Sequence, residues 1–280
     1  MIGVRAGQRP APPLQGSGKE EVVMTEPRPA FTSFRDRLLK RQRLFGTFLK
    51  LPTTQVIEML GPIGYDFIII DQEHAPLDRA MTDLMILAAR ASNIAPLVRI
   101  PEFTDANILS ALDCGAMGIM VPHVTSVERA KAIVRASRYA GGTRGFAGLT
   151  RASNWGKVGA TGHMAQQDSQ VAVVAMIEDQ HAIDKAGDIA RVEGIDAIFV
   201  GRGDLTASFG VDPEAATKVA EISGRVAAMA RDADTPLMML PTSKADFGFV
   251  SDLGATAMVL ASDHGFIRSA AGAALKDYTS

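Results

Sequence analysis

The sequence predicts a closed (β/α)8 barrel. Eight short apolar runs recur along the chain, stretches with helical spacing separate them, and the length suits one such barrel. The chain has 280 residues, 47% of them hydrophobic and 21% charged, which is enough apolar material for a large core. The runs occupy 45–51, 65–70, 96–100, 118–121, 171–177, 197–200, 236–240 and 257–260. They lack clean alternation, as strands buried on both faces should.

The intervening segments carry the helical period. They are 53–60, with Val56, Ile57 and Leu60; 78–92, opening on Asp78 with Met81, Leu84, Met85, Leu87 and Ala88; then 105–114, 126–136, 179–192, 213–233, 243–253 and 266–274. Gly115 and Gly254 stand where helices end in a left-handed residue. A helix over 31–43 precedes the first run and is expected to plug the barrel bottom, with Arg35 to Arg43 as its solvated face. An open doubly wound sheet is the rival, but no glycine-rich dinucleotide turn follows the first run. Residues 1–30 are rich in Pro, Gly and charge and read as a disordered extension, with Met24 as one reading of the native start. Residues 31–280 form the barrel domain.

Composition narrows the function classes. Lys plus Arg total 29 and Asp plus Glu 31, a net charge of −2, unlike the basic balance of a nucleic-acid binder. The single cysteine, Cys114, reads as core and excludes an internal disulfide or a cysteine metal cluster. No apolar run reaches the ~18 residues of a membrane span, and no secretory signal is read, so a soluble, cytoplasmic protein is expected.

In a barrel, chemistry gathers at the carboxyl ends of the strands. Those ends read Asp71-Gln72-Glu73-His74, Arg99, Pro122-His123, Glu178, Gly201-Arg202-Gly203-Asp204 and Ser262-Asp263-His264. Glu178 and Asp204 suit a hard divalent ion such as Mg2+ or Mn2+ that keeps waters; the alternative is that each pairs with an arginine. Asp71 and His74 suit a carboxylate–imidazole pair, or a helix-capping Asp beside a solvated His. Glu73 is an outer partner for the ion. Arg99 at an apolar strand end needs an anion, either a substrate or an acid such as Asp113. No lysine is read at a strand end, which disfavours Schiff-base chemistry. The connection between the fourth and fifth runs holds Arg144, Arg151 and Trp155 and reads as a lid or binding element, or else a solvated insertion. His163 and His181 read as surface residues.

These segments resemble the class II, metal-dependent pyruvate aldolases that cleave 4-hydroxy-2-oxo acids, of the HpcH/HpaI type, related to citrate-lyase β enzymes. The resemblance rests on Asp71-Gln72-Glu73-His74-Ala75-Pro76, Val98-Arg99-Ile100-Pro101, Leu112-Asp113-Cys114-Gly115-Ala116, Val121-Pro122, Arg144-Gly145, Arg151-Ala152-Ser153, Ile177-Glu178 and Gly201-Arg202-Gly203-Asp204-Leu205-Thr206. It implies that Glu178 and Asp204 hold a divalent ion (Mg2+, Mn2+ or Co2+) chelated by pyruvate. It implies that Arg99 stabilises the enolate oxygen and that His74 with Asp71 handles protons. Asp113 would position Arg99 or meet a neighbouring subunit. It also implies homotrimers or homohexamers that exchange the last helix, with pyruvate and an aldehyde as substrates. Glu73, Arg99, Gly203 and Asp204 would bind substrate, joined by Arg202 and His123, where the chain departs from the pattern of its relatives. Rival activities are a coenzyme A thioester lyase of the citrate-lyase β or malyl-CoA type, a metal-dependent phosphodiesterase, and a non-catalytic 2-oxo acid sensor.

Overall fold

Each apolar run pairs in parallel with the next, and the eighth returns to the first, closing the barrel. The computed structural model describes residues 28–279. After a 3-10 turn at Phe31–Ser33 come α1 (Phe34–Leu39), β1 (Leu44–Leu49), α2 (Gln55–Ile63), β2 (Phe67–Asp71), α3 (Arg79–Ala91), β3 (Ala95–Arg99), α4 (Asp105–Asp113), β4 (Gly118–Val121) and α5 (Val127–Ser137). Then follow α6 (Ala160–Gln170), β5 (Ala172–Ile177), α7 (Ala186–Ala190), β6 (Ala197–Val200), α8 (Arg202–Ser208), α9 (Ala215–Asp232), β7 (Leu237–Met239), α10 (Lys244–Asp252), β8 (Ala257–Ser262) and α11 (Asp263–Thr279). Closure rules out the open sheet. The expected extension at 1–30 and the start at Met24 fall almost wholly outside the described residues.

Burial on both strand faces explains the missing alternation. One face fills the barrel interior with Phe48, Phe67, Ile69, Leu97, Met176 and Phe199. The other meets the helices through Ile68, Ile70, Val98, Ile177 and Val200. Phe34 and Leu38 join the interior cluster, so α1 does close the bottom, though it stops at Leu39. The arginines are a solvated face only in part: Arg41 and Arg43, beyond the helix, are exposed, whereas Arg35 pairs with Asp196 at 2.8 Å and Arg37 with Asp66 at 2.8 Å. Gly46 is required by packing, because a Cβ there would lie within 2.3 Å of the Phe67 ring.

Side-chain caps start α3, α4, α5 and α10: Asp78, Thr104, Ser126 and Ser243 each accept the backbone N–H three residues on. Gly115 and Gly254 end their helices at φ +94. The expected helix over 179–192 is a 3-10 stretch, Gln180–Lys185, followed by the five-residue α7. Among the described residues, no helix is long and apolar enough to cross a membrane.

The long β4–β5 connection differs most from expectation. It contains α6, and its loop packs on outer helices: Arg151 grips Asp83 of α3 at 2.5 Å, and Arg144 lies 3.6 Å from Asp113 at the end of α4. Among the described residues, no ion pair joins this loop to the charged side chains at the strand ends. His163 in α6 is buried rather than superficial, with Nε2 3.2 Å from the Tyr139 hydroxyl. Burial, reinforced by Arg144, pushes its pKa down.

Candidate active site at the carboxyl rim

The strand register sets the first row of the site. Asp71 is paired with Arg99 across β2 and β3, and Leu49 with Ile70 across β1 and β2, so Lys50 follows in line with Asp71. Phe48, Ile69 and Leu97 face the barrel interior. Strand alternation therefore turns Lys50, Asp71 and Arg99 inward as well, one layer above them.

Asp71 is fully buried and saturated. Arg99 donates to it from Nε at 2.9 Å and Nη2 at 2.6 Å, Lys50 Nζ lies at 3.0 Å, and the backbone N–H groups of Glu73 and His74 each donate at 3.2 Å. Burial pushes the Asp71 carboxyl up, but Arg99 and Lys50 outweigh it and hold the group below the usual carboxylate range. The expected Asp71–His74 side-chain pair therefore does not form. Asp71 caps the turn through backbone N–H groups while its charge answers Arg99. The His74 imidazole is half-exposed, with Nε2 3.6 Å from Glu73 Oε2. Asp113 is likewise not the partner of Arg99; it faces Arg144.

The row continues across the mouth with alternating charge. Arg99 Nη1 lies 3.0 Å from Glu73 Oε2, and Glu73 Oε1 lies 3.7 Å from His123 Nε2. His123 Nδ1 lies 3.1 Å from Asp179 and 3.6 Å from Glu178. His123 adopts φ +53, a left-handed turn that brings its own N–H to Glu178 Oε1 at 2.8 Å. Burial pushes the His123 pKa down, yet Asp179, Glu178 and Glu73 together raise it above the ordinary value. Burial raises Glu73, against the opposing charges of Arg99, His74 and His123.

Glu178 is the most perturbed acid of the site. Burial, with the charges of Asp204 and Glu73 adding, lifts its pKa to about 7 against the pull of His123. Its Oε2 is buried without a hydrogen-bond partner. Gly201 lies against that oxygen so tightly that a Cβ would come within 2.5 Å of it. Asp204 is exposed in the first turn of α8. Among the described residues, no arginine or lysine forms an ion pair with either carboxylate, which removes the alternative that arginines neutralise them. A buried orphan oxygen beside a second free carboxylate fits a hard divalent cation completed by water or substrate oxygens. Among the described residues, no group of three or more His, Cys, Asp or Glu side chains could hold a metal ion by itself.

The remaining candidates divide. Gly203 is exposed with open space where a Cβ would stand. Arg202 is engaged by Asp246 of α10 at 2.7 Å and lies over the Phe249 ring. Lys50 and Asp179 were not expected. Lys50 is the one cation in the first apolar run, and that was its signal; Asp179 directly follows Glu178 and had none.

Comparisons with known proteins identify the family. Residues 44–270 match the family model described as HpcH/HpaI aldolase/citrate lyase. The chain is 32% identical over 243 residues to a 5-keto-4-deoxy-D-glucarate aldolase of Enterobacter sp. (strain 638), covering 85% of this chain and 93% of that one. It is 39% identical over 181 residues to a 4-hydroxy-2-oxovalerate aldolase of Novosphingobium aromaticivorans, covering 64% and 68%. A crystal structure of a HpcH/HpaI aldolase/citrate lyase family protein from Burkholderia cenocepacia J2315 superposes with a TM-score of 0.83 at 29% identity, over 89% of this chain and all of that one.

Proposed function

The chain belongs to the HpcH/HpaI aldolase/citrate lyase family, and from that premise we propose that it cleaves a 4-hydroxy-2-oxo acid reversibly to pyruvate and an aldehyde. The observation that carries this reading is the unpartnered, buried Oε2 of Glu178 beside Asp204, at one end of a charge row that contains Arg99. Glu178 and Asp204 would hold a divalent ion (Mg2+, Mn2+ or Co2+), which supplies positive charge to offset the enolate as the C3–C4 bond breaks.

The protein's own part is orientation and proton handling. Arg99 is locked by Asp71 and Glu73 and stacked over the Phe48 ring, 4.7 Å from its centroid. A guanidinium has five donors, so Arg99 retains N–H groups for a developing oxyanion after these contacts. Such preorganised charge is the largest source of catalysis where an anion forms. We assign the C4 hydroxyl proton to His74, with Glu73 rather than Asp71 as the carboxylate beside it; the 3.6 Å separation supports this. Gly203 leaves room for substrate next to Asp204, and His123 closes the site between Glu73 and Glu178.

A homotrimer or homohexamer that exchanges α11 completes the proposal. In α11 only Asp263 is buried, and Ile267, Leu275 and Tyr278 are exposed. A monomer mass in sedimentation equilibrium would contradict that assembly. The catalytic proposal is tested by supplying racemic 4-hydroxy-2-oxopentanoate with Mg2+ and following pyruvate. Release that stops with EDTA supports it. Thioester cleavage of malyl-CoA in place of pyruvate release would replace it.

A further inference from the structure

Arg202 opens α8, two residues before Asp204, and its side chain crosses to α10. Its Nη1 reaches both oxygens of Asp246, at 3.0 and 2.7 Å, and its guanidinium lies over the Phe249 ring, 5.8 Å from the centroid. Asp246 is held independently by the turn after β7. Thr242 donates to Oδ2 from its backbone N–H at 2.7 Å and from its hydroxyl at 3.0 Å. Burial pushes the Asp246 carboxyl up, but Arg202 and Thr242 outweigh it and hold the group below the usual carboxylate range. Exposed ion pairs contribute little, because two mobile side chains must be ordered for a contact that water and salt screen. This pair differs: the acid is already ordered, and the two side chains are only 21% and 14% exposed.

The first turn of α8 has few other anchors. The helix has seven residues, and Leu205 is its one buried side chain. Gly203 stands in open space, and the Thr206 hydroxyl bonds back to the Arg202 carbonyl within the helix. Glu178 is fixed by burial and by the His123 N–H. Asp204 is exposed and has no ion pair among the described residues. The two acids repel each other, and the charge of Asp204 helps to raise the Glu178 pKa. Something must therefore hold the α8 turn against that repulsion.

We propose that Arg202 is a positioning residue: its ion pair with Asp246 clamps the first turn of α8 to α10 and so keeps Asp204 beside Glu178. This inference rests on the reading of Glu178 and Asp204 as ligands of a divalent ion. It makes a prediction of unusual sign. By charge alone, an arginine near a cation site opposes the cation, so its removal should tighten binding. A clamp requires the opposite.

The test is calorimetric titration of Mn2+ at about pH 8, above the Glu178 pKa of about 7. It compares wild type, Arg202→Gln, Asp246→Asn, the double variant and Glu178→Gln, with urea unfolding of each to confirm the fold. Arg202→Gln and Asp246→Asn should each weaken Mn2+ binding about tenfold, as loss of an outer partner of a metal site does. The double variant should lose no more than either single one, because all three remove the same contact. An Arg202→Gln variant that binds Mn2+ as tightly as wild type, or more tightly, would overturn the clamp. So would a double variant whose loss is the product of the two single losses. Glu178→Gln separates the two readings. If it loses Mn2+ while Arg202→Gln does not, the clamp alone falls. If wild type binds no Mn2+, or if neither variant changes its affinity, the clamp and the ion site fall together.

Discussion

Glu178 is held in a conflict that the proposed cation would resolve. Its carboxyl sits at about 7 because burial and the neighbouring acids disfavour its charge. A divalent ion must displace the proton below that pH. Affinity for Mn2+ should therefore weaken about tenfold for each pH unit below 7 and level off above it. Calorimetric titration between about pH 5.5 and 8 checks this sign, and Glu178→Gln should flatten the slope. Gly201 gives an independent handle. Gly201→Ala drives a methyl into the space of Oε2, at a cost of about 1–3 kcal/mol in stability. The variant should still fold but lose Mn2+ affinity. Affinity equal to wild type would place the ion elsewhere. At this scale the sequence was legible in residue type more than in pairing. Glu178, Asp204, Arg99 and Glu73 lie at the ends of apolar strands, where a barrel gathers its chemistry. Asp71 and His74 are neighbours in sequence, yet strand register turned Asp71 toward Arg99, three residues of adjacency notwithstanding. Asp113 reads as a partner for Arg99 only until the helix between them is built; α4 carries it away to Arg144.

At the level of elements, the strands were readable because burial on both faces leaves apolar runs with sharp ends. The capped helices were readable because Asp78 and Ser243 open them. What escaped reading lacked such signals. In α6 the residues around His163 are Ala, Thr, Gly, Gln, Asp and Ser with one Met, and so little apolar period marks a buried face. In the segment after β5, Gly187 and a short loop to β6 leave room for one brief helix. Lys50 was hidden for the same reason that β1 was visible: a run counted as strand interior conceals the residue that emerges at its rim. The bottom plug carries a prediction of its own. Phe34 is buried in the interior cluster and contacts Phe67 with ring centroids 5.3 Å apart. Phe34→Ala should cost about 3–5 kcal/mol in urea unfolding. The same variant should keep wild-type Mn2+ affinity while folded, because the plug lies at the opposite end of the barrel from Glu178. A loss of affinity at full folding would show that the bottom of the barrel sets the geometry of the rim.

The whole molecule divides its labour by height. The bottom and middle layers of the barrel interior are apolar, with Phe34, Phe67, Leu97 and Met176, and provide stability. The top layer provides charge, in a row that alternates sign from Lys50 to Asp179. Closure lets distant stretches of sequence meet there: Arg99 and Asp71 are 28 residues apart, and His123 and Glu178 are 55. No local motif could have revealed those pairings without the register of the sheet. The central claim is that this rim forms an enolate from pyruvate with the help of a divalent ion. Proton NMR in D2O tests it most directly, following the pyruvate methyl with Mg2+ and again with EDTA. The account predicts loss of the methyl signal with Mg2+ and its persistence with EDTA. A methyl signal that persists with Mg2+ bound would contradict it.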